Sequence, residues 1–381
     1  MTTETTWRFR VPETIVFGWG AIERIGEETA KLGRRALLVT GRTARGAERV
    51  ERLLAAAGVE ATRFAAVEPE PGAAVVDRGA AAARTAGCDV IVGFGGGSPM
   101  DVAKCIAGML GMGAETIVPY LRGEPVAEKA RPLVCAPTTA GTSAEITRNA
   151  VILDEERGVK IGLRAAAWIP RAALIDPELT LTAPPQLTAQ TGLDVLTHAA
   201  EGYVSRAATE PTDALALPAV RLVGRYLRAA VREGSDRAAR EGMCLASLCA
   251  GMAFANSGVG AAHSLAHPLG ARYHVAHGAA CGLLLPYVME YNLPAAPEKM
   301  RDLAAALEPE NSNPRPADAP AAVSRLLADL ELPQTLRAVG VAEEALAGLA
   351  AAAMVSGALR TNPRAVGEPE AREILRRALG G

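Results

Sequence analysis

The sequence has no long run of charge of either sign, although 40 basic and 42 acidic residues occur among its 381 positions. Its formal net charge is −2, so nothing indicates the electrostatic footprint of a nucleic-acid-binding or membrane-surface protein. Residues 1–7 also lack the basic and then apolar pattern of a secretory signal. These absences predict a cytoplasmic protein whose partner is a small molecule rather than nucleic acid or a membrane.

Cysteine is sparse as well, with six residues and no C-x-x-C pair. A disulfide framework is therefore not expected, and the thiols fit reduced, buried positions in a cytoplasmic protein. The longest uncharged stretch, residues 242–271, has the length of a membrane span. Its histidines, its proline and its many Gly and Ala residues instead favour tightly packed internal helices.

The length exceeds that of one compact core, which predicts two domains. Residues 1–181 alternate short apolar runs with helical periods, beginning with a strand over 9–18 and a buried strand over 35–40. This βαβα pattern is typical of a parallel sheet with helices on both faces. Residues 182–381 show helical periods without a convincing strand, so we predict an α/β domain followed by an all-α domain, with the boundary near Leu181.

Two loops of the first domain follow predicted strands. The strand over 89–93 runs into Gly95, Gly96 and Gly97, then Ser98, with Pro99 and Asp101 in the first turn of a helix. Such a loop lets the backbone approach a pyrophosphate closely, and the helix N-terminus adds free N–H groups. The spacing is neither the Rossmann fingerprint nor a Walker A loop, and a tight turn without ligand accounts for it equally well.

The second loop carries hydroxyl side chains after the strand that begins near Pro132. They lie where α/β sheets bind ligands, or they cap the next helix, and the sequence leaves both interpretations open. These residues are Thr138, Thr139, Thr142 and Ser143.

All five histidines fall between residues 191 and 278. Asp194 and His198 are four apart, so on a helix both side chains leave the same face. The remaining four are His263, His267, His274 and His277. One carboxylate with several imidazoles suits Fe(II) or Zn(II) better than Mg or Ca, which predicts a metal site.

Several ordered motifs together give a specific resemblance. They are GGGSPMD (95–101), PTTAGT (137–142), DPELT (176–180), TGLDVLTHAAE (191–201), GMAFAN (251–256), HSLAHPLG (263–270) and TNPR (361–364). In this order, over nearly the whole chain, they resemble the iron-containing, or group III, alcohol dehydrogenases. The resemblance implies a Rossmann-like, dinucleotide-binding parallel-sheet domain and an all-α metal-binding domain, the two-domain plan shared with dehydroquinate synthase.

The resemblance also assigns roles. It implies a metal, Fe(II) or alternatively Zn(II), on Asp194, His198, His263 and His277; spacing alone does not choose between His267 and His277. His267 then becomes a proton-relay residue and Phe254 a wall of the substrate pocket, whereas His274 matches no ligand. The implied cofactor-binding residues for NAD or NADP are Gly96, Gly97, Ser98, Asp101, Thr138, Thr139, Thr142 and Lys160.

The implied reaction is oxidation of a short-chain alcohol or diol, or reduction of the aldehyde. A divalent metal lowers the pKa of the alcohol, and hydride passes to the nicotinamide. The family resemblance further implies a homodimer or higher oligomer, through pairing of the strand over 9–18 across two chains.

One departure from the family pattern concerns the first buried strand. Many NAD-preferring relatives carry an aspartate there that contacts the ribose 2′-hydroxyl, whereas this sequence has Gly41 followed by Arg42. Without the carboxylate and with a guanidinium nearby, a 2′-phosphate is tolerated or favoured. We therefore predict that NADPH is used at least as well as NADH.

Three other functions fit the sequence less well. A dehydroquinate synthase-like lyase needs a basic pocket, but the metal-bearing segments contain no Lys or Arg apart from Arg272. Maleylacetate reductases characteristically lack the ligand aspartate, and Asp194 is present here. A non-catalytic nucleotide-binding protein has no reason to keep four metal ligands.

Overall fold

A computed structural model describes residues 6–380. The strands are β1 (Thr14–Phe17), β2 (Arg35–Gly41), β3 (Glu60–Val67), β4 (Val90–Gly95), β5 (Leu133–Pro137), β6 (Asn149–Asp154), β7 (Val159–Arg164) and β8 (Ala172–Ile175). The helices before β8 are α1 (Ile25–Ala30), α2 (Ala47–Ala56), α3 (Ala73–Thr85), α4 (Gly97–Met112) and α5 (Val118–Leu121).

Those after it are α6 (Pro185–Val204), α7 (Glu210–Arg232), α8 (Arg237–Ser257), α9 (Ala261–Tyr273), α10 (His277–Asn292), α11 (Pro297–Leu307), α12 (Asp318–Asp329), α13 (Leu346–Ala353) and α14 (Glu368–Leu379). The α/β half followed by an all-α half is therefore confirmed. The boundary near Leu181 falls between β8 and α6, and it remains a proposal.

The sheet has six parallel strands in the order β1-β8-β5-β4-β2-β3. Its central strands are apolar because both faces are covered by helices, and every residue of β4 and β5 is buried. Alternate residues of β2 enter different cores: Leu37 and Val39 pack with α3 and α4, whereas Leu38 packs with α2.

β6 and β7 form a separate antiparallel hairpin. The hairpin is tied to the loop after β3, because the Leu153 amide donates to the Pro71 carbonyl at 2.9 Å. Glu155 adds a second tie by accepting from the Ala73 amide at 2.9 Å.

The N-terminal strand is shorter than predicted. Residues 9–13 have no regular secondary structure and, within residues 6–380, no sheet neighbour; Thr14–Phe17 pairs with β8. Segment 6–13 runs instead against α8, where the Asn256 side chain bonds the Arg10 amide at 2.7 Å and the Arg10 carbonyl at 3.1 Å.

The helical half packs around one large apolar core to which helices α6 to α14 contribute. Between residues 6 and 380, no single helix is long and apolar enough to cross a membrane. The pair α8 and α9 reaches that length and composition together, but the two helices meet at 104°. Most of their residues are buried, which agrees with the predicted internal packing.

All six cysteines are unpaired, and five of them are buried. Cys249 is half-buried. These positions agree with the expectation of buried thiols, and the reduced state remains a prediction.

Candidate active site

Four donor side chains converge from three helices of the all-α half. Asp194 and His198 lie one turn apart on α6, His263 lies in the first turn of α9, and His277 begins α10. The Nε2 atoms of the three histidines lie 3.8, 3.8 and 3.7 Å from one atom, Asp194 Oδ1. Three imidazole nitrogens thus surround a single carboxylate oxygen.

This arrangement fits a metal ion. Ligand atoms about 2.1 Å from a tetrahedral metal lie roughly 3.4 Å apart, close to the separations found here. Asp194 Oδ1 and His263 Nε2 are moreover buried without any hydrogen-bond partner. Since buried polar atoms are costly without partners, a bound cation accounts for both. One oxygen and three imidazole nitrogens suit Fe(II) or Zn(II).

Glu201 orients one of these imidazoles. Its carboxylate lies 2.6 Å from His263 Nδ1 and accepts from the backbone amides of Gly260 at 2.7 Å and Ala262 at 2.6 Å. A carboxylate on Nδ1 keeps the proton on that nitrogen and leaves Nε2 free for a metal. Sequence reasoning gave Glu201 no role, although it lies seven residues after Asp194, on the same face of α6.

The N-terminus of α10 approaches α6 very closely at Gly278. A Cβ atom added there would lie 2.0 Å from the Gln190 carbonyl oxygen and 3.0 Å from Asp194 Cβ. Only glycine permits this approach, which brings the preceding residue, His277, beside Asp194.

Aromatic rings continue the cluster in both directions. Phe254 stacks on His198 with centroids 4.0 Å apart, and His198 stacks on His263 at 4.6 Å. His267 stacks on His277 with ring centroids 5.5 Å apart, and its side chain is exposed. Phe254, only 8% exposed, thus supports a donor side chain directly.

Cys281 is a donor that sequence reasoning missed. It lies one turn after His277 on α10, with its sulfur 3.7 Å from His277 Nε2. Donor atoms of Asp194, His263, His277 and Cys281 all lie within 4.8 Å of one another, so Cys281 competes with His198 as the fourth ligand. Burial raises the pKa of the Cys281 thiol to about 11 and lowers the pKa of His198 to about 3. A neutral imidazole binds metal without losing a proton, which favours His198.

The two loops beyond β4 and β5 lie side by side. Gly95 pairs with Pro137 in the sheet, and the Thr138 amide donates to the Gly95 carbonyl at 2.9 Å. A Cβ at Gly97 would lie 2.9 Å from Thr142 Cγ2, and one at Gly96 would lie 3.7 Å from Thr139 Oγ1. The glycine loop and the hydroxyl loop therefore face each other at the carboxyl ends of adjacent strands.

The hydroxyl loop also packs on the helical half. A Cβ at Gly141 would lie 2.7 Å from Thr191 Cβ, one turn before Asp194. Ser98 lies in the first turn of α4. The hydroxyl loop consequently borders the donor cluster, and the glycine loop faces the hydroxyl loop.

Asp101 lies past the first turn of α4, contrary to the prediction, because the helix already begins at Gly97. Its Oδ2 accepts from the Val151 amide at 3.0 Å, and its Oδ1 lies 3.9 Å from the Nζ of the fully buried Lys104. That ammonium donates to Thr147 Oγ1 at 3.0 Å and to the Asn149 carbonyl at 2.7 Å. Burial raises the pKa of Asp101 to about 6. Asp101 thus anchors α4 to β6.

Lys160 on β7 lies near His267 and His277. Its Nζ donates to Glu70 Oε1 at 2.5 Å. The pKa values of His267 and His277 are lowered mainly by burial, next by neighbouring imidazoles, and then by the charge of Lys160. Glu70 has a left-handed backbone, with φ of 58°. His274 ends α9 in the same conformation (φ 55°) and is exposed.

Gly41 and Arg42 lie at the carboxyl end of β2, next to the end of β3. Gly41 pairs with Val67, and Arg42 Nη2 lies 3.0 Å from Glu68 Oε1, with both side chains exposed. Sequence reasoning did not anticipate this carboxylate, because Glu68 belongs to the neighbouring strand's loop, 26 positions away.

Two protein-family models match this chain, one over the sheet half and one over the helical half. Residues 12–177 match the model for iron-containing alcohol dehydrogenase, and residues 188–379 match that for the Fe-containing alcohol dehydrogenase family, C-terminal. The chain is 40% identical to 1,3-propanediol dehydrogenase of Klebsiella pneumoniae, over 97% of this chain and 98% of that protein.

Among solved structures, a crystal structure of 1,3-propanediol oxidoreductase has a TM-score of 0.93 at 39% identity and covers 98% of this chain and 100% of that one. Sulfoacetaldehyde reductase from Bifidobacterium kashiwanohense, solved in complex with NAD+, has a TM-score of 0.90 at 30% identity, covering 99% of both chains.

Proposed function

Because the chain belongs to the iron-containing alcohol dehydrogenase family, we propose that it is a metal-dependent, NAD(P)-linked alcohol dehydrogenase and aldehyde reductase for a short-chain alcohol or diol. The observation that carries the proposal is the set of three imidazole nitrogens 3.7–3.8 Å from Asp194 Oδ1. The similarity to a 1,3-propanediol dehydrogenase supports the substrate class.

Asp194, His198, His263 and His277 hold the metal in this proposal. When bound, a divalent metal supplies Lewis-acid polarisation of the substrate oxygen, and a nicotinamide supplies the hydride exchange. Glu201 fixes the tautomer of His263 through its Nδ1. Phe254 fixes the plane of His198 by stacking and borders the substrate position.

His267 transfers the proton between the reacting oxygen and solvent. Its ring is accessible from the cleft, yet the surrounding protein and the neighbouring imidazoles lower its pKa to about 3. It is therefore neutral near pH 7, and its position next to His277 is what supports the role in proton transfer.

The cofactor lies across the two facing loops. Backbone amides of Gly96, Gly97 and Ser98 at the start of α4 cradle the pyrophosphate, and the hydroxyls of Thr138, Thr139 and Thr142 border it from the opposite loop. Lys160 adds positive charge on the hairpin side. Asp101 acts indirectly by anchoring α4 to β6, because its carboxylate is already bonded to Val151.

Gly41 and Arg42 set the preference between the two nicotinamide cofactors. A glycine presents no carboxylate to a 2′-phosphate. The Arg42 side chain is exposed and pairs with Glu68 Oε1 at 3.0 Å, so a 2′-phosphate competes with that carboxylate for the guanidinium. We expect NADPH to be used at least as efficiently as NADH. A ratio of kcat/KM favouring NADH by more than about a hundredfold, roughly 2.7 kcal/mol, contradicts this assignment.

We also propose a cytoplasmic homodimer or higher oligomer. Six unpaired thiols fit a reducing compartment. Among the described residues, β1 is an edge strand that pairs with β8 on one side, and a second copy could pair with its other side. Sedimentation velocity of the purified protein measures the mass directly, and a monomer at micromolar concentration contradicts the oligomer.

The decisive experiment is aldehyde-dependent oxidation of NADPH and NADH by anaerobically purified protein. The metal is stripped and then replaced by Fe(II) or Zn(II), and the substrates are aldehydes of increasing length. We expect turnover only with metal and the highest kcat/KM for short aldehydes. Asp194→Ala abolishes turnover, whereas the exposed control Asp329→Asn on α12 leaves it unchanged. Tight binding of metal and nucleotide without turnover on any aldehyde contradicts the proposal.

A further inference from the structure

A second cavity lies away from the donor cluster, at the junction of the two halves. It has a volume of about 210 Å³ and is lined by Arg8, Arg10, Ile146, Arg148, Ile169, Ala255 and Asn256. These residues come from the N-terminal segment, the connection before β6, the connection before β8, and α8.

The charged side chains that line this cavity are all arginines. Arg8, Arg10 and Arg148 line it, and Arg164 on β7 lies beside Arg148, since its neighbour Asn149 pairs with Arg164 in the hairpin. Within residues 6–380, none of these four guanidinium groups lies within 4.0 Å of a carboxylate oxygen. On the surface of the helical half, by comparison, Arg228, Arg325 and Arg376 each pair with an acidic side chain.

The positive charges of these clustered arginines repel one another. Burial, followed by the charges of Arg164 and Arg10, lowers the pKa of Arg148, and Glu128 opposes this only as the smallest contribution. A guanidinium stays protonated in proteins, so the repulsion persists. A bound anion is the direct way to remove it.

We propose that this cavity binds a small multivalent oxyanion of the phosphate type. Guanidinium groups bind such oxygens with paired, charge-assisted hydrogen bonds, and three of them here face one space. The volume is below the roughly 300–1,000 Å³ of sites for drug-sized ligands, which suits an ion. The Asn256 side chain accepts a hydrogen bond from the Arg10 backbone N–H and donates one to the Arg10 carbonyl. These two bonds hold Arg10 in position beside the cavity.

The anion joins parts of the chain that are distant in sequence. Arg10 belongs to segment 6–13, which precedes β1. Arg148 leads into the β6–β7 hairpin that carries Lys160, and Asn256 belongs to α8, two residues after Phe254. Binding therefore stabilises the junction between the sheet half and the helical half. It requires neither the metal nor the nucleotide.

The test is thermal unfolding of the full-length protein in increasing inorganic phosphate, with ionic strength held constant by sodium chloride. We expect a saturable rise in Tm that sodium chloride alone does not give. Arg148→Gln weakens the apparent phosphate affinity about tenfold or more, because it removes hydrogen bonds between charged groups. Arg221→Gln, which removes one exposed arginine on α7, leaves the affinity unchanged.

Two further measurements distinguish this cavity from the glycine loop and from a contact between two copies of the chain. The titration is repeated with saturating NADPH, because phosphate also fits the glycine loop; a Tm response that then vanishes overturns the proposal. The mass of the wild type and of Arg148→Gln is measured by sedimentation velocity. If the variant changes oligomeric state and phosphate has no effect, the arginines serve a second copy of the chain, and the anion site is wrong.

Discussion

Replacing Glu201 by Gln tests how strongly the buried carboxylate controls the donor cluster. The wild-type side chain accepts three hydrogen bonds: Gly260 and His263 at Oε2 and Ala262 at Oε1. A glutamine has one oxygen and one amino group. If its oxygen takes the Oε2 position, the Ala262 amide loses its acceptor; in the reverse orientation, both Gly260 and His263 lose theirs.

The structure gives the magnitude of the effect. One buried amide without a partner costs about 1–3 kcal/mol of unfolding free energy in the metal-free protein. Loss of the charge beside His263 Nδ1 weakens metal affinity by about 10–100-fold, the usual range for a residue behind a metal-bound histidine. The less disruptive glutamine orientation keeps the His263 contact, so we expect the lower part of that range.

The assay is competition for Zn(II) against a calibrated chelator, with circular dichroism of the metal-free protein as the measure of folding. Glu241→Gln is the matched control, because its carboxylate accepts from Trp19 Nε1 at an exposed site. We expect the control to match the wild type in both measurements. If Glu201→Gln binds Zn(II) within twofold of the wild type, Glu201 does not orient His263 for metal binding.

Three further predictions concern other parts of the molecule. Glu68→Gln frees Arg42 and raises the NADPH-to-NADH ratio of kcat/KM about threefold or more, whereas Arg42→Gln lowers it; equal ratios in both variants contradict the role of this pair. The pKa of Asp101 is raised from 3.8 to about 6, so its protonated form favours the fold. The stability that Asp101 contributes is therefore present below pH 4 and lost as the pH rises through 6. Asp101→Asn should reduce the change of the urea midpoint with pH in this range, and an unchanged slope contradicts the prediction. Gly278→Ala forces α10 away from the Gln190 carbonyl and should weaken Zn(II) binding at least about tenfold in the chelator assay. Unaltered Zn(II) affinity would show that metal binding does not depend on the close approach of the two helices.

The sequence predicts the sheet well because its central strands are buried on both faces. Continuous apolar runs such as those of β2 and β4 are typical of strands covered by helices on either side. The predicted N-terminal strand is too long for a different reason. Residues 9–13 have strand-like composition, but a strand also needs a neighbour, and no strand of the described part of the chain, residues 6–380, pairs with them. Composition alone does not reveal a missing partner.

The donor cluster is only partly predictable. Asp194 and His198 follow from helical spacing within α6. His263 and His277 could be assigned only from the family resemblance, because the sequence near these residues does not indicate that α9 and α10 begin beside α6. Glu201 and Glu68 were not found, since the role of each depends on a contact with a segment distant in sequence.

The four donor side chains all belong to α6, α9 and α10, whereas the glycine loop, the hydroxyl loop and Lys160 belong to the sheet half. If these side chains hold the proposed metal and the loops hold the nucleotide, the two are bound by different halves of the chain. Exchange of the nucleotide would then require no change among the metal ligands, and the metal off-rate should not depend on nucleotide concentration.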